Sequence, residues 1–215
     1  MGLDDVKLFG RWDWKNIVVR DPGLQRYICL KPTIVAHEAE GRHAKKHFGK
    51  AEVNIVERLI NRLMGTGHVK VRKKQGVRNI YEKKHRLTSR SFTGMKITAY
   101  KIVKKAFELV HERTGENPLQ VLVRAIENAS PREETVSVQV GGVIVPVSVD
   151  VSPQRRVDLA LRFLCNAARA KAFVYRKHIW ETLAEEIIYA ARNDPERSLA
   201  VKKKEEIERA AEASR

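Results

Sequence analysis

The sequence predicts a mainly α-helical protein: a six-helix, bundle-like domain with one β-hairpin projecting between the third and fourth helices. Three observations lead there. Apolar residues recur at 3.6-residue spacing in several separate stretches from Val53 onward. Valine alternation on either side of Gly141-Gly142 interrupts that pattern once. The chain has 215 residues, 43% of them hydrophobic and 32% charged. At that length a compact chain buries roughly 70% of its unfolded surface, enough for a core without staples.

Residues 1–52 read as an N-terminal extension, partly extended. LFGRWDWKNIVVRDPGLQRYICLKP mixes apolar pairs with the turn Asp21-Pro22-Gly23, and HEAEGRHAKKHFGKAE is polar and basic. Residues 53–215 form the helical domain. Val53, Val56, Leu59, Ile60, Leu63 and Met64 share one helical face, which Gly65-Thr66-Gly67 stops. Tyr100, Val103, Phe107 and Val110 repeat the pattern as far as Gly115. Asn117 and Pro118 then provide an N-cap and first helical position, with Gln120 three residues after the cap, the capping-box spacing. That helix buries Leu119, Leu122 and Ile126 and ends before Pro131.

The hairpin, 135–151, follows. Gly141-Gly142 supplies a two-residue turn, opposing Val140 to Val143, Val138 to Val145 and Val136 to Val147, so that one face is all valine. Pro146 belongs on an edge. A two-stranded ribbon is marginal alone, so the valine face should rest partly on helices while the tip projects. Ser152-Pro153 caps a fourth helix that buries Val157, Leu161, Leu164 and Ala168; a fifth, roughly 176–192, and a sixth after Asp194-Pro195 complete the chain.

Charge is the loudest signal. Forty-two Lys+Arg against 26 Asp+Glu give +16, a surplus that repels itself unless a polyanion lies alongside. Ten bases lie in a basic insert, 70–96: Lys70, Arg72, Lys73, Lys74, Arg78, Lys83, Lys84, Arg86, Arg90 and Lys96. Glu82 is the only acid there, and no sustained hydrophobic period runs through the insert, so it reads as a loop or extended arm. The fourth helix carries Arg155, Arg162 and Arg169 at steps of seven, with Arg156 adjacent and Asp158 the only acid. Steps of seven keep guanidinium groups in one stripe, and an unpaired arginine stripe suits phosphates better than lysines would. From Asp194 to Arg215 six bases meet six acids, which reads as a solvated helix rather than a binding arm.

Catalytic and metal chemistry find no foothold. Cys29 and Cys165 stand far apart with no CxxC spacing. HEAEGRH places its second histidine six residues after the first, not four, and His43 and His47 lack a nearby acidic ligand. Gly65-Thr66-Gly67-His68 lacks the ending of a phosphate loop, Asp150 and Glu181 have no paired carboxylate, and no serine occupies a GxSxG elbow. The expectation is a non-enzymatic protein without cofactor, metal or small-molecule substrate. MGLDDVKLFG is unlike a signal peptide, and no run of eighteen apolar residues exists to span a membrane.

Several motifs, taken in order, resemble the family of small-subunit ribosomal protein seven, in its archaeal and eukaryotic form. Arg58-Leu59-Ile60-Asn61-Arg62 resembles the family's first-helix signature, and Arg113-Thr114-Gly115 with Asn117-Pro118 its RTGxxP junction. Gly141-Gly142, Pro153 and Arg155-Arg156 are similar to its GG…PxRR element, and Arg162-Phe163-Leu164 with Asn166 and Arg169 to its RWLxNxxR helix. Leu183-Ala184, Glu186-Ile187 and Ala200-Val201-Lys202-Lys203 resemble the closing helices, so the likeness covers about 53–206. The insert after the first helix is of the archaeal and eukaryotic kind.

The resemblance implies six helices with a projecting hairpin, and a structural role on the cytoplasmic ribosome. It implies primary binding to the 3′ major domain of small-subunit (16S-type) rRNA, nucleating assembly of the subunit head beside neighbouring ribosomal proteins. It also places the hairpin tip, Gly141 and Gly142, near the exit-site tRNA and the mRNA exit path. Two rivals share the charge: a helical DNA-binding or chromatin-type protein, and an RNA-processing enzyme. Sparse aromatics, 7% of residues, argue against a stacking platform for free single strands.

Overall fold

The computed structural model describes residues 6–35, 41–65, 68–70, 85–87 and 95–215. Among them are eight α-helices and two antiparallel strand pairs. Two of the helices are four-residue turns in the N-terminal region, α1 (Pro22–Gln25) and α2 (Gly49–Glu52). The six longer ones are α3 (Ile55–Met64), α4 (Lys96–Thr114), α5 (Pro118–Ala129), α6 (Pro153–Tyr175), α7 (Ile179–Ala191) and α8 (Leu199–Glu212). No helix among the described residues is long and apolar enough to cross a membrane.

Three of the long helices start where the sequence offers an acceptor for orphan N–H groups. Asn54 caps α3 by accepting from Val56 N–H at 2.9 Å, Asn117 caps α5 from Leu119 N–H at 3.1 Å, and Ser198 caps α8 from Val201 N–H at 3.2 Å. Gly115 closes α4 with φ +70°. Apolar faces of α3 to α8 meet in one core whose deepest members include Phe107, Ile55, Leu59, Leu122, Ile126 and Leu164.

Gln120 does not complete a capping box. Its side chain accepts from Val18 N–H at 2.8 Å and donates to Val18 C=O at 3.0 Å, treating an incoming chain as a strand would. Asn117 donates to Asp13 C=O at 2.8 Å, and Glu127 accepts from Arg20 N–H at 2.6 Å. The N-terminal segment is thereby stitched along α5, and Leu8, Trp12, Trp14, Leu24 and Ile28 are buried in the common core. Phe9 meets Tyr100 edge-on at 5.0 Å, and Trp12 meets Phe107 at 6.2 Å. The periodicity that reveals helices has no counterpart in this irregular wrapping, so the sequence did not announce it.

Strands β1 (His68–Lys70) and β2 (His85–Leu87) pair antiparallel, with Val69 opposite Arg86. Of the basic insert, Lys70 and residues 85–87 thus lie in a ladder and Lys96 opens α4; 71–84 and 88–94 lie outside the described residues, and with them most of the expected loop or arm.

Strands β3 (Glu133–Val140) and β4 (Val143–Asp150) form the hairpin, after α5 and before α6. Val136 opposes Val147, Val138 opposes Val145 and Val140 opposes Val143. Gly141 (φ +55°) and Gly142 (φ +87°) make the turn, both in the left-handed region where L side chains are strained. The valine face, however, is not covered by helices. Val136, Val138, Val145 and Val147 are each about 40% exposed, because only the hairpin's base meets α8. There Arg132 N–H donates to Glu208 at 2.9 Å and Arg215 pairs with Glu133. Nor is α8 solvated all round: Ala200, Val201 and Ala211 are buried.

Candidate nucleic-acid interface

Helices α3 and α6 pack against each other and set four charged residues in two rungs, one turn apart on each helix. The first rung is closed. Arg58 Nη2 lies 2.9 Å from Asp158 Oδ1 with the arginine side chain 6% exposed, and its Nη1 donates to Tyr27 C=O at 2.9 Å. Lys50 adds a looser approach to Asp158 at 3.7 Å. The second rung sets Arg62 against Arg162. Burial lowers the Arg62 pKa, and the neighbouring Arg162 charge lowers it further. The Arg62 Nε is buried without a hydrogen-bond partner, while Arg162 faces solvent. A cleft of about 220 Å³ opens here, lined by Lys50, Arg58, Arg62 and Arg162 against the single carboxylate of Asp158, with His43 at its edge. Two neighbouring guanidinium groups with so little compensating charge have the donor chemistry to match an anion with several oxygen acceptors. Sequence spacing showed the α6 half of this site; the α3 half needed the packing of two helices one hundred residues apart.

The α6 arginines are not the unpaired stripe that their spacing suggested. Arg155 makes a two-pronged pair with Glu134 on β3, Nε to Oε1 at 2.7 Å and Nη2 to Oε2 at 2.8 Å. That hydrogen bond is the main reason its pKa is raised. Half of the Arg155 side chain stays exposed. Arg156 is an internal tether: its Nη2 lies 2.7 Å from Asp21 Oδ2 and 3.3 Å from Ser130 Oγ, with 11% of the side chain exposed. The carboxylates come from other elements, 21 and 135 residues away, so a scan of the helix for its own acids could not find them. Arg162 stays exposed; Arg169 is half-buried, and burial lowers its pKa.

From the insert, Lys96 is described in full. Its Nζ pairs with Glu57 at 2.8 Å with both side chains nearly buried, so it joins α4 to α3. Lys70 and Arg86 lie in β1 and β2. Arg72, Lys73, Lys74, Arg78, Lys83, Lys84 and Arg90 lie outside the described residues. At the hairpin tip Gly141 and Gly142 have open space around them, flanked by Val143 and Ile144, 64% and 68% exposed.

Comparison with known proteins identifies the family. The family model for ribosomal protein S7p/S5e matches residues 24–215. The chain is 48% identical over 210 residues to the small ribosomal subunit protein uS7 of Nanoarchaeum equitans (strain Kin4-M), covering 98% of this chain and 99% of that protein. The match takes in both the α3–α6 rungs and the hairpin, and the chain belongs to the ribosomal protein S7p/S5e family, whose members are structural rather than enzymatic.

Proposed function

We propose that this protein is a primary binder of the 3′ major domain of small-subunit rRNA and nucleates assembly of the subunit head, working in the cytoplasm as part of the ribosome. The observation that carries the reading is the Arg62–Arg162 rung. Like charges held together in a half-buried cleft are tolerated when a phosphate is the usual third party. Arg155 and Arg169 extend the same face of α6, and the bases of the 70–96 insert supply further phosphate contacts. Recognition then rests on backbone shape and 2′-hydroxyls more than on base sequence. The hairpin tip, with its open Gly141-Gly142 turn, reaches toward exit-site tRNA and the mRNA exit path, and neighbouring ribosomal proteins cover part of the remaining surface.

The test is competition. A transcript of the rRNA 3′ major domain binds the protein, and an equal mass of duplex DNA displaces it poorly, because a rod lacks the concavities that separated basic elements require. Replacing Arg62 and Arg162 together by Ala flattens the slope of log K against log salt by about 0.7–0.9 for each phosphate that the pair neutralises. Equal competition by DNA, or an unchanged slope, overturns the assignment.

A further inference from the structure

Through the middle of α6, from Leu159 to Arg169, only Arg162, Asn166 and Arg169 escape burial. Steps of four and three keep them on one face. The step of four continues to Phe173, so Arg162, Asn166, Arg169 and Phe173 form a single line spanning less than a quarter of the helix circumference, with Arg176 just past the helix end. The line contains no acid. Phe173 stands in it with 63% of its surface exposed, between an arginine one turn before and another just after. Arg176 ends the helix in the left-handed conformation, φ +53°. A phenylalanine ring left in water gains nothing from solvent. A flat π-surface is what it offers, and the exposed Arg176 three residues on suits a phosphate.

We propose that Phe173 is a stacking platform for one unpaired RNA base, with a flanking phosphate held by Arg176. This rests on the RNA-binding reading above and adds to it a single-stranded or bulged nucleotide at the C-terminal end of α6. The low aromatic content that weighed against stacking concerns the chain average. A single ring in line with arginines suffices for one base.

The test uses the full chain and the same 3′ major-domain transcript. Phe173→Ala lowers affinity roughly tenfold, the loss typical of one stacked base, and leaves the salt slope unchanged because the ring neutralises no phosphate. Phe173→Trp retains wild-type affinity, whereas Phe173→Leu, apolar but without a π-face, loses as much as the alanine variant. If Leu binds as well as Phe, apolar contact rather than a π-face carries the affinity and the stacking proposal falls. It falls also if every Phe173 variant binds like wild type while the Arg62→Ala/Arg162→Ala protein is weakened, an outcome that leaves the RNA-binding reading standing. A wild-type protein that fails to bind the transcript overturns both.

Discussion

Replacing Arg156 by Ala separates holding the fold from holding RNA. In the intact protein its guanidinium lies 2.7 Å from Asp21, with side chains 11% and 23% exposed, and ties α6 to the N-terminal wrapping. Removing one partner from a fully buried pair costs roughly 3–5 kcal/mol, whereas exposed pairs contribute about 0–1 kcal/mol. This pair lies nearer the buried limit, so a loss of about 2–3 kcal/mol is expected. At this chain length that corresponds to roughly 4–12 °C in Tm.

The pH dependence has a defined sign. Burial pushes the Asp21 carboxyl up, but the Arg156 hydrogen bond and charge, with Gly23 N–H and Arg132, hold it below the ordinary carboxylate range. A carboxyl depressed on folding stabilises above its unfolded pKa of about 3.9, and that contribution fades as pH falls through the lower folded value. Without Arg156, burial meets weaker opposition and the folded carboxyl titrates higher. The variant is then penalised at neutral pH and recovers part of its deficit in acid. Urea unfolding followed by circular dichroism, in a series from about pH 7 down to well below the unfolded carboxyl pKa, reads both effects: a large gap from wild type at neutral pH, narrowing in acid. RNA affinity of the folded variant stays within about twofold of wild type. Wild-type stability combined with failed RNA binding would refute the tether and return Arg156 to the interface.

Two further perturbations probe the frame behind the site. Glu186, wholly buried, accepts from Ser198 Oγ at 2.7 Å, Ala200 N–H at 2.9 Å and Lys171 Nζ at 2.5 Å, joining α6, α7 and the start of α8. Glu186→Ala therefore destabilises by about 3–5 kcal/mol in urea titration, and a loss under about 1 kcal/mol would contradict that network. Burial pushes the Cys165 thiol up to about 12, so iodoacetamide at about pH 8 labels Cys29 in the native protein and reaches Cys165 only on unfolding. Equal labelling of both thiols in the native state would show that the α3–α6 packing is looser than described.

Local chemistry made much of the frame legible. Asn117-Pro118, Gly115, the valine alternation and the α3 apolar face each state their own conformation within a few residues, which is why the start of α5, the end of α4 and the strand register could be read directly. Helix α3, by contrast, starts at Ile55 behind Asn54, two residues after the Val53 that periodicity suggests. The N-terminal wrapping could not. Trp12 and Trp14 are buried in a core shared with α4 and α5, about a hundred positions away, and Gln120 bonds Val18 instead of its own helix end. The site divides the same way. Seven-residue spacing revealed that α6 presents arginines on one side, since that follows from helix geometry alone. It could not reveal that Glu134 and Asp21 engage two of them, or that Arg62 stands opposite Arg162, because those facts belong to tertiary packing. The valine face was legible as a face but not in its exposure: strand alternation says which residues share a side, and only the placement of neighbouring helices says whether anything covers them.

Sedimentation gives the most direct measurement. Small ribosomal subunits isolated from cells that express the tagged protein and washed in high salt retain it if it was assembled as a primary component. Neighbour-dependent association through surface charge alone is screened away under the same conditions. Retention with the washed subunit, abolished in the Arg62→Ala/Arg162→Ala protein, is the predicted result. Complete release of the wild-type protein into the supernatant would contradict the account.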